Sequence, residues 1–236
     1  MPQAVEDIFW DIRPVILANR NLLSSEIKSF REKIETSNEI YAPIPGNELP
    51  TFNALYSDRN LLKFLLVLHK LPVKFLASPF VDIGCGLGTA SLAWIALVKP
   101  SKAQISASIC IDRDSEQIEL AKTVLSGSRS LNGLPEFMSE SFPDWTAPTN
   151  HIALLSFSLC EIIAENYTMR KIVDALPNRF VVADYRETIS ELFREAGGRF
   201  YGTDIVQSTF KLDKKLAELL QQDKIRVVGA YGRKWY

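Results

Sequence analysis

Cysteine is scarce in this chain: three in 236 residues, at positions 85, 110 and 160. They form no CxxC pair, which argues against a thiolate zinc site and a disulfide framework and suits a reducing, cytoplasmic setting. Histidine is rarer still, with only His69 and His151. Net charge is almost absent: 27 cations face 28 acids, for −1 overall. A globally basic nucleic-acid binder is therefore excluded, though a local patch is not. There is no apolar run long enough for a membrane span of roughly 20 residues. The longest, over 61–81, is broken by Lys63, His69, Lys70 and Lys74. The opening MPQAVEDIFWDIRP is too charged for a signal peptide. Repeats and low-complexity tracts are also missing. What is present is an ordinary globular composition, 47% hydrophobic and 23% charged, in a chain sized for one domain with an appendage.

The first part of the chain reads as helical. Val5, Ile8, Phe9 and Ile12, then residues 15–34, put apolar side chains at helical spacing, with Pro14 as a bend. YAPIPGNELPT, over 41–51, reads as a loop and linker. Residues 61–71 predict a helix that is apolar almost all round and therefore buried. From Pro79 the pattern alternates. Strands are expected at 80–83, 105–111, 136–139, 152–157 and 180–183. Helices are expected at 89–98, 115–125, 167–176 and 188–196. Such alternation predicts a parallel sheet covered on both faces. Two final strand-like runs, 204–212 and 226–235, flank a short helix and predict an antiparallel hairpin at the sheet edge. The expected architecture is α/β, a Rossmann-like seven-stranded, mostly parallel sheet. Residues 1–75 would form a helical lid and 76–236 the core.

The most informative stretch is Asp82-Ile83-Gly84-Cys85-Gly86-Leu87-Gly88-Thr89. It follows a strand and opens a helix. Glycines let a backbone approach a ligand closely, and a helix start offers free N–H groups. The spacing is GxGxG, with an acid two residues before the first glycine. An acid there suits a ligand bearing a positive charge, such as an α-amino group. A second acid, Asp112, ends the next strand, where a carboxylate can accept both hydroxyls of a ribose. A nicotinamide or flavin dehydrogenase is the main rival on the same fold.

DIGCGLG, followed by a strand ending in IDRDSEQIELAK, resembles the class I S-adenosylmethionine-dependent methyltransferases over about 78–185. The resemblance implies that Asp82, Gly84, Cys85, Gly86 and Gly88 line the cofactor loop, that Asp112 holds the ribose and that Arg113 packs near the adenine. It puts Glu140 and Ser141 at the adenine amino group, and Ser156 and Phe157 beside the transferred methyl. NELPTFNAL together with SFSLCEI is similar to a second, narrower family, the methyltransferase-like assembly factors of the mitochondrial small ribosomal subunit. That family carries four cysteines for a metal centre, and this chain lacks the set.

The remaining candidates are few. Methyl transfer is an in-line displacement in which alignment supplies much of the rate, so a strong base is not required. Glu161, after the fourth strand, is the nearest titratable group. It could bind a substrate cation or take a proton, or simply face solvent at a helix start. Cys160 lacks the preceding proline of a cytosine C5 methyltransferase nucleophile and reads as a core cysteine. Asp184 could line the substrate side or cap the next helix. Arg59, at the start of the apolar helix, is the candidate to pair with the cofactor's carboxylate. No metal is implied. The expected function is methyl transfer from S-adenosyl-L-methionine, with a small molecule favoured as acceptor. The alternatives are RNA or a non-catalytic assembly module. For RNA, residues 211–236 hold seven cations against three acids, with Tyr231, Trp235 and Tyr236 among them.

Overall fold

The computed structural model describes residues 1–17, 49–71, 78–128 and 133–234, without the side chains of 17, 49–55 and 201–203. The helical expectation over 18–37 and most of the linker lie outside the described residues, as does Trp235. The first helices are α1 (Gln3–Leu17), with Pro14 inside it, and α2 (Leu49–Leu68). Then follow β1 (Phe80–Ile83), α3 (Thr89–Val98), α4 (Lys102–Ser106), β2 (Ile109–Asp112), α5 (Ser115–Ser126), β3 (Glu136–Ser139) and β4 (Ile152–Ser156). The chain continues through α6 (Leu159–Ala164), α7 (Met169–Ala175), β5 (Arg179–Ala183), α8 (Arg186–Ala196), β6 (Phe200–Lys211), α9 (Lys214–Leu220) and β7 (Lys224–Lys234).

The seven strands form one sheet in the order β3-β2-β1-β4-β5-β7-β6. The first five are parallel, and β7 is antiparallel to both β5 and β6. The mostly parallel, Rossmann-like sheet with a closing hairpin is as the sequence predicts. Strand period decides which residue faces which layer. Phe80, Cys110, Ile152, Leu154, Val181 and Ala183 join the cluster under α1, α2, α3 and α5. Val81, Ile83, Ile111, Ala153, Leu155 and Val182 join the opposite one under α6, α7 and α8. The chain leaves β1 for β2 on one side, while β4 lies on the other. The carboxyl ends of β1 and β4 therefore flank the place where the strand order reverses, the usual ligand crevice of an open α/β sheet.

Two elements differ from the sequence reading. The buried helix starts twelve residues early, at Leu49, so the end of the expected linker is helical. Pro50 falls in the first turn, where the missing N–H has no partner to lose. The strand expected from 105 begins only at Ile109, because residues 102–106 form a helix. Ser101 accepts from the Gln104 amide and the Gln104 side chain accepts from the Ser101 amide, a reciprocal cap that nucleates this short turn. Helix α2 is buried as expected, with Leu61, Leu62 and Phe64 through Leu68 all essentially inaccessible. It shares one cluster with α1, α3 and the sheet. Among the described residues no helix is long and apolar enough to cross a membrane.

Candidate active site

The loop after β1 is shaped by three glycines in left-handed conformation, with φ of 63° at Gly84, 49° at Gly86 and 71° at Gly88. Their surroundings separate them. A Cβ on Gly84 would sit 2.6 Å from the Ser158 Cβ, and one on Gly88 would sit 2.7 Å from a Leu125 methyl. Packing requires glycine at Gly84, whereas at Gly88 the obstacle is only the flexible end of Leu125. A Cβ on Gly86 would meet nothing within 4 Å. Gly86 is thus the loop position that leaves a cradle open to a ligand. Cys85 contributes only backbone, its amide donating to the Ile111 carbonyl at 2.9 Å. Its thiol points into the core, and contact with Cys110 together with burial pushes it up.

Asp112 is tied to this loop. Its Oδ2 accepts from the Gly86 amide at 3.0 Å and its Oδ1 from the Asp114 amide at 3.0 Å. Burial raises its carboxyl, and the two amides oppose that. Each oxygen keeps a lone pair for a further donor. Asp82 differs from the rim acid that the sequence suggests. It is 1% exposed, and its Oδ2 accepts from the Ser91 amide at 2.9 Å and the Ser91 hydroxyl at 2.7 Å. Burial pushes its carboxyl up to about 7 against those two bonds, with Asp112 adding repulsion. The period-2 alternation of β1 turns Asp82 down onto α3 rather than out to the crevice.

Around the crevice, Arg113 pairs with Glu165 rather than lying free for an aromatic base. Glu140 is exposed at the end of β3 and donates its amide to the Asp112 carbonyl at 3.0 Å. The Ser141 hydroxyl lies 3.4 Å from the Tyr167 hydroxyl. The hydroxyls of Ser156 and Ser158 are buried without a partner among the described residues. Phe157 takes φ of +62°, uncommon for a bulky residue, and its ring meets Tyr185 edge-on with centroids 5.9 Å apart. Arg59 is half-buried, with an Nε that has no hydrogen-bond partner among the described residues.

Glu161 lies in the first turn of α6 with its side chain reaching water at the mouth. Protein atoms crowding it, and then the carboxylates of Asp112 and Asp184, push it up to about 8, with Arg113 opposing. Asp184 is 3% exposed and accepts from the amides of Tyr185 at 2.7 Å and Cys160 at 3.2 Å. It caps backbone, and burial raises it to about 6. Cys160 is buried, its thiol pushed up by burial. His151 is locked between the Ala107 carbonyl and the Asn150 side chain, at the other end of β4. His69 is exposed just beyond α2.

Sequence reasoning missed Lys63. Its ammonium stands 4.8 Å from the centroid of the Phe157 ring. Burial lowers it to about 8, helped by Arg59 and opposed by Asp184. The available signal was a lone cation inside an apolar stretch, four residues after Arg59.

Among the described residues no three His, Cys, Asp or Glu side chains are grouped to hold a metal ion. No family model and no curated protein matches the chain, and the second, ribosome-assembly resemblance gains nothing from them. Solved structures do resemble it. The precorrin-6y C5,15-methyltransferase of Geobacter metallireducens shares 14% identity at a TM-score of 0.49, over 84% of this chain and 96% of that one. An S-adenosylmethionine-dependent O-methyltransferase of Thermotoga maritima shares 12% at 0.49, over 91% and 73%. The magnesium protoporphyrin IX methyltransferase of Synechocystis shares 11% at 0.46, over 92% and 100%. These are likenesses of chain trace. What this site can hold follows from its own residues.

Proposed function

We propose that the chain binds S-adenosyl-L-methionine over the carboxyl ends of β1 and β2 and passes its methyl group to an acceptor held over β4 and β5. The observation that carries this reading is the cradle at Gly86, open where Gly84 and Gly88 are filled, with Asp112 bound to its amide. A nucleoside needs both: a bare backbone to lie against and a carboxylate for its ribose hydroxyls. Glu140 and Ser141 stand at the end of β3, on the adenine side. Arg59 offers an unsatisfied donor for the carboxylate of the methionine end. The ammonium end lies towards the loop, where buried Asp82 supplies field through Ser91 rather than direct contact.

When bound, the sulfonium supplies an electrophilic methyl, and the protein's work is placement and exclusion of water. Ser156 and Phe157 form the wall between donor and acceptor. Glu161 faces the acceptor with its carboxyl pushed up from the ordinary range, able in its protonated form to donate a hydrogen bond. Helices α1 and α2 pack on the sheet face that also carries α3 and α5. A small acceptor is favoured over RNA on the near-neutral charge of the whole chain, −1 overall.

Isothermal titration with S-adenosylhomocysteine tests the reading. Binding is expected, with its loss in Gly86→Val. Tight binding of NAD in its place overturns it. Retention of labelled RNA that weakens steeply with salt would move the acceptor to RNA.

A further inference from the structure

We propose, resting on the methyl-transfer reading, that Lys63 takes the proton from the methyl acceptor, and that the acceptor is a planar aromatic molecule bearing an ionisable hydroxyl. Three features converge at the ends of β4 and β5. The Lys63 ammonium lies over the face of Phe157. Phe157 packs edge-on to Tyr185. Tyr185 is 43% exposed, although it stands only two residues past the buried strand β5. Two rings at right angles make an aromatic corner into which a third ring fits by stacking on one and meeting the edge of the other. The left-handed backbone at Phe157 holds this corner in place. Its amide donates to the Ala183 carbonyl at 2.8 Å and its carbonyl accepts from the Cys160 thiol at 3.2 Å. Such a conformation is strained in a residue other than glycine.

The charges around Lys63 select the acceptor's sign. On its own helix stands Arg59, one turn away, and Arg59 lowers the lysine's affinity for a proton. From just after β5 comes Asp184, whose carboxylate is engaged by the Tyr185 and Cys160 amides. From α1 comes Arg13, closed on Asp58 at 3.1 Å. Helix α3 carries no charged residue, and β7 meets α2 through Gly229 against Val67. Glu161 stands at the water-exposed mouth, its carboxyl pushed up by the protein atoms and the carboxylates of Asp112 and Asp184 around it. An ammonium acceptor would therefore meet two cations at the aromatic corner, whereas a developing oxyanion would be drawn to them. Lys63 also has the proton affinity for the task. With its ammonium lowered to about 8, a substantial fraction is free amine slightly above neutrality, the range in which a lysine works as general base.

The step balances. The acceptor's O–H bond breaks and its proton joins the Lys63 lone pair. The oxygen's pair forms the new bond to the methyl carbon. The bond from that carbon to the sulfonium breaks, its pair staying on sulfur. The ammonium then gives the proton to water.

The probe is 4-nitrophenol, whose phenolate absorbs in the visible, titrated into the full chain with S-adenosylhomocysteine at pH 6, where the free probe is mostly phenol. The expected result is bound phenolate, with affinity at least tenfold lower in Lys63→Met. Lys63→Arg should keep the phenolate band but methylate a turned-over phenol about a hundredfold more slowly at near-constant KM. S-adenosylhomocysteine affinity should be unchanged in both variants, which also shows that they fold. Bound phenolate unaffected in Lys63→Met, or tighter binding of benzylamine than of 4-nitrophenol, overturns the assignment. So does failure of 4-nitrophenol to bind while S-adenosylhomocysteine still does. A wild-type chain that binds no S-adenosylhomocysteine sinks the methyl-transfer reading, and this assignment with it.

Discussion

Gly86 donates its amide to Asp112 Oδ2 at 3.0 Å, joining the loop after β1 to the end of β2 across 26 residues. The same carboxylate also accepts from the Asp114 amide, so one side chain sets the loop and the next helix entry together. Asp112→Ala removes both acceptors. It should weaken S-adenosylhomocysteine binding by about 1–3 kcal/mol, the range for hydrogen bonds to a charged group, and lower the melting temperature by a few degrees. Calorimetry and a thermal melt on the same preparation check both. Asp112→Asn should recover most of the stability and little of the affinity.

The three loop glycines should respond differently to one added methyl. Gly84→Ala drives a Cβ into that of Ser158, and neither atom can swing away. Gly88→Ala meets only the tip of Leu125, which can turn. Gly86→Ala meets nothing and pays only the left-handed backbone cost of about 1–2 kcal/mol. The expected order of stability by urea midpoint is therefore Gly84→Ala lowest, with the other two near one another. Gly86→Ala, though folded, should lose ligand affinity most relative to its loss of stability. Equal midpoints for all three would contradict the packing assignment.

The architecture was readable because the strands are short apolar runs ended by glycine or acid, and because two strand-like runs around one short helix at the end pointed to an added hairpin, which the antiparallel pairing of β6 and β7 bears out. Local signals failed where the deciding partner is distant. Pro50 looked like linker until its place in a first turn was seen. Asp82 has the right residue type and spacing for a rim acid, yet Ser91, nine residues on, holds it in the core. Lys63 looked like an interruption in an apolar helix. Its meaning comes from Phe157, 94 residues away, and no periodicity encodes that contact.

Three buried or crowded acids hold protons more tightly in the fold than in the open chain: Asp184 up to about 6, Asp82 to about 7 and Glu161 to about 8. A raised acid in the folded state means that the native protein binds more protons than the unfolded one between the two values. Stability should therefore fall as pH rises from about 4 towards 8. Asp82→Asn keeps an acceptor for Ser91 and removes one of the three. It should stabilise the protein at pH 8, by at most about 4 kcal/mol, and change little at pH 4. Denaturant midpoints at the two pH values measure this, and a variant less stable at pH 8 would contradict it.

Arg59 carries a buried Nε with no hydrogen-bond partner among the described residues. An unsatisfied buried donor is a liability in the free protein, and truncation removes it. Arg59→Ala should leave the ligand-free melting temperature level or slightly higher. It should weaken S-adenosylhomocysteine about tenfold or more, as expected for a lost charge-assisted pair. Unchanged affinity would take Arg59 out of the binding site.

The Arg113–Glu165 pair makes the last prediction. Arg113 follows β2 and Glu165 caps the end of α6, after β4. In the sheet β1 lies between those two strands, so the ion pair bridges the carboxyl end of β1, above the glycine loop. A ligand lying along that loop from β2 towards β4 must pass beneath the pair or part it. Both side chains are partly open to solvent, so the bridge is worth no more than about 1 kcal/mol and can be parted at that cost. If binding parts it, Glu165→Gln should tighten S-adenosylhomocysteine by up to about fivefold, mostly through faster association, and raised salt should reproduce part of the gain in the wild type. If the pair instead closes over the bound ligand, the same substitution should speed dissociation and weaken binding. Stopped-flow association and dissociation rates for Glu165→Gln tell these apart. The expected result is the faster association, because Arg113 is freed to turn towards the adenine side only when Glu165 lets it go.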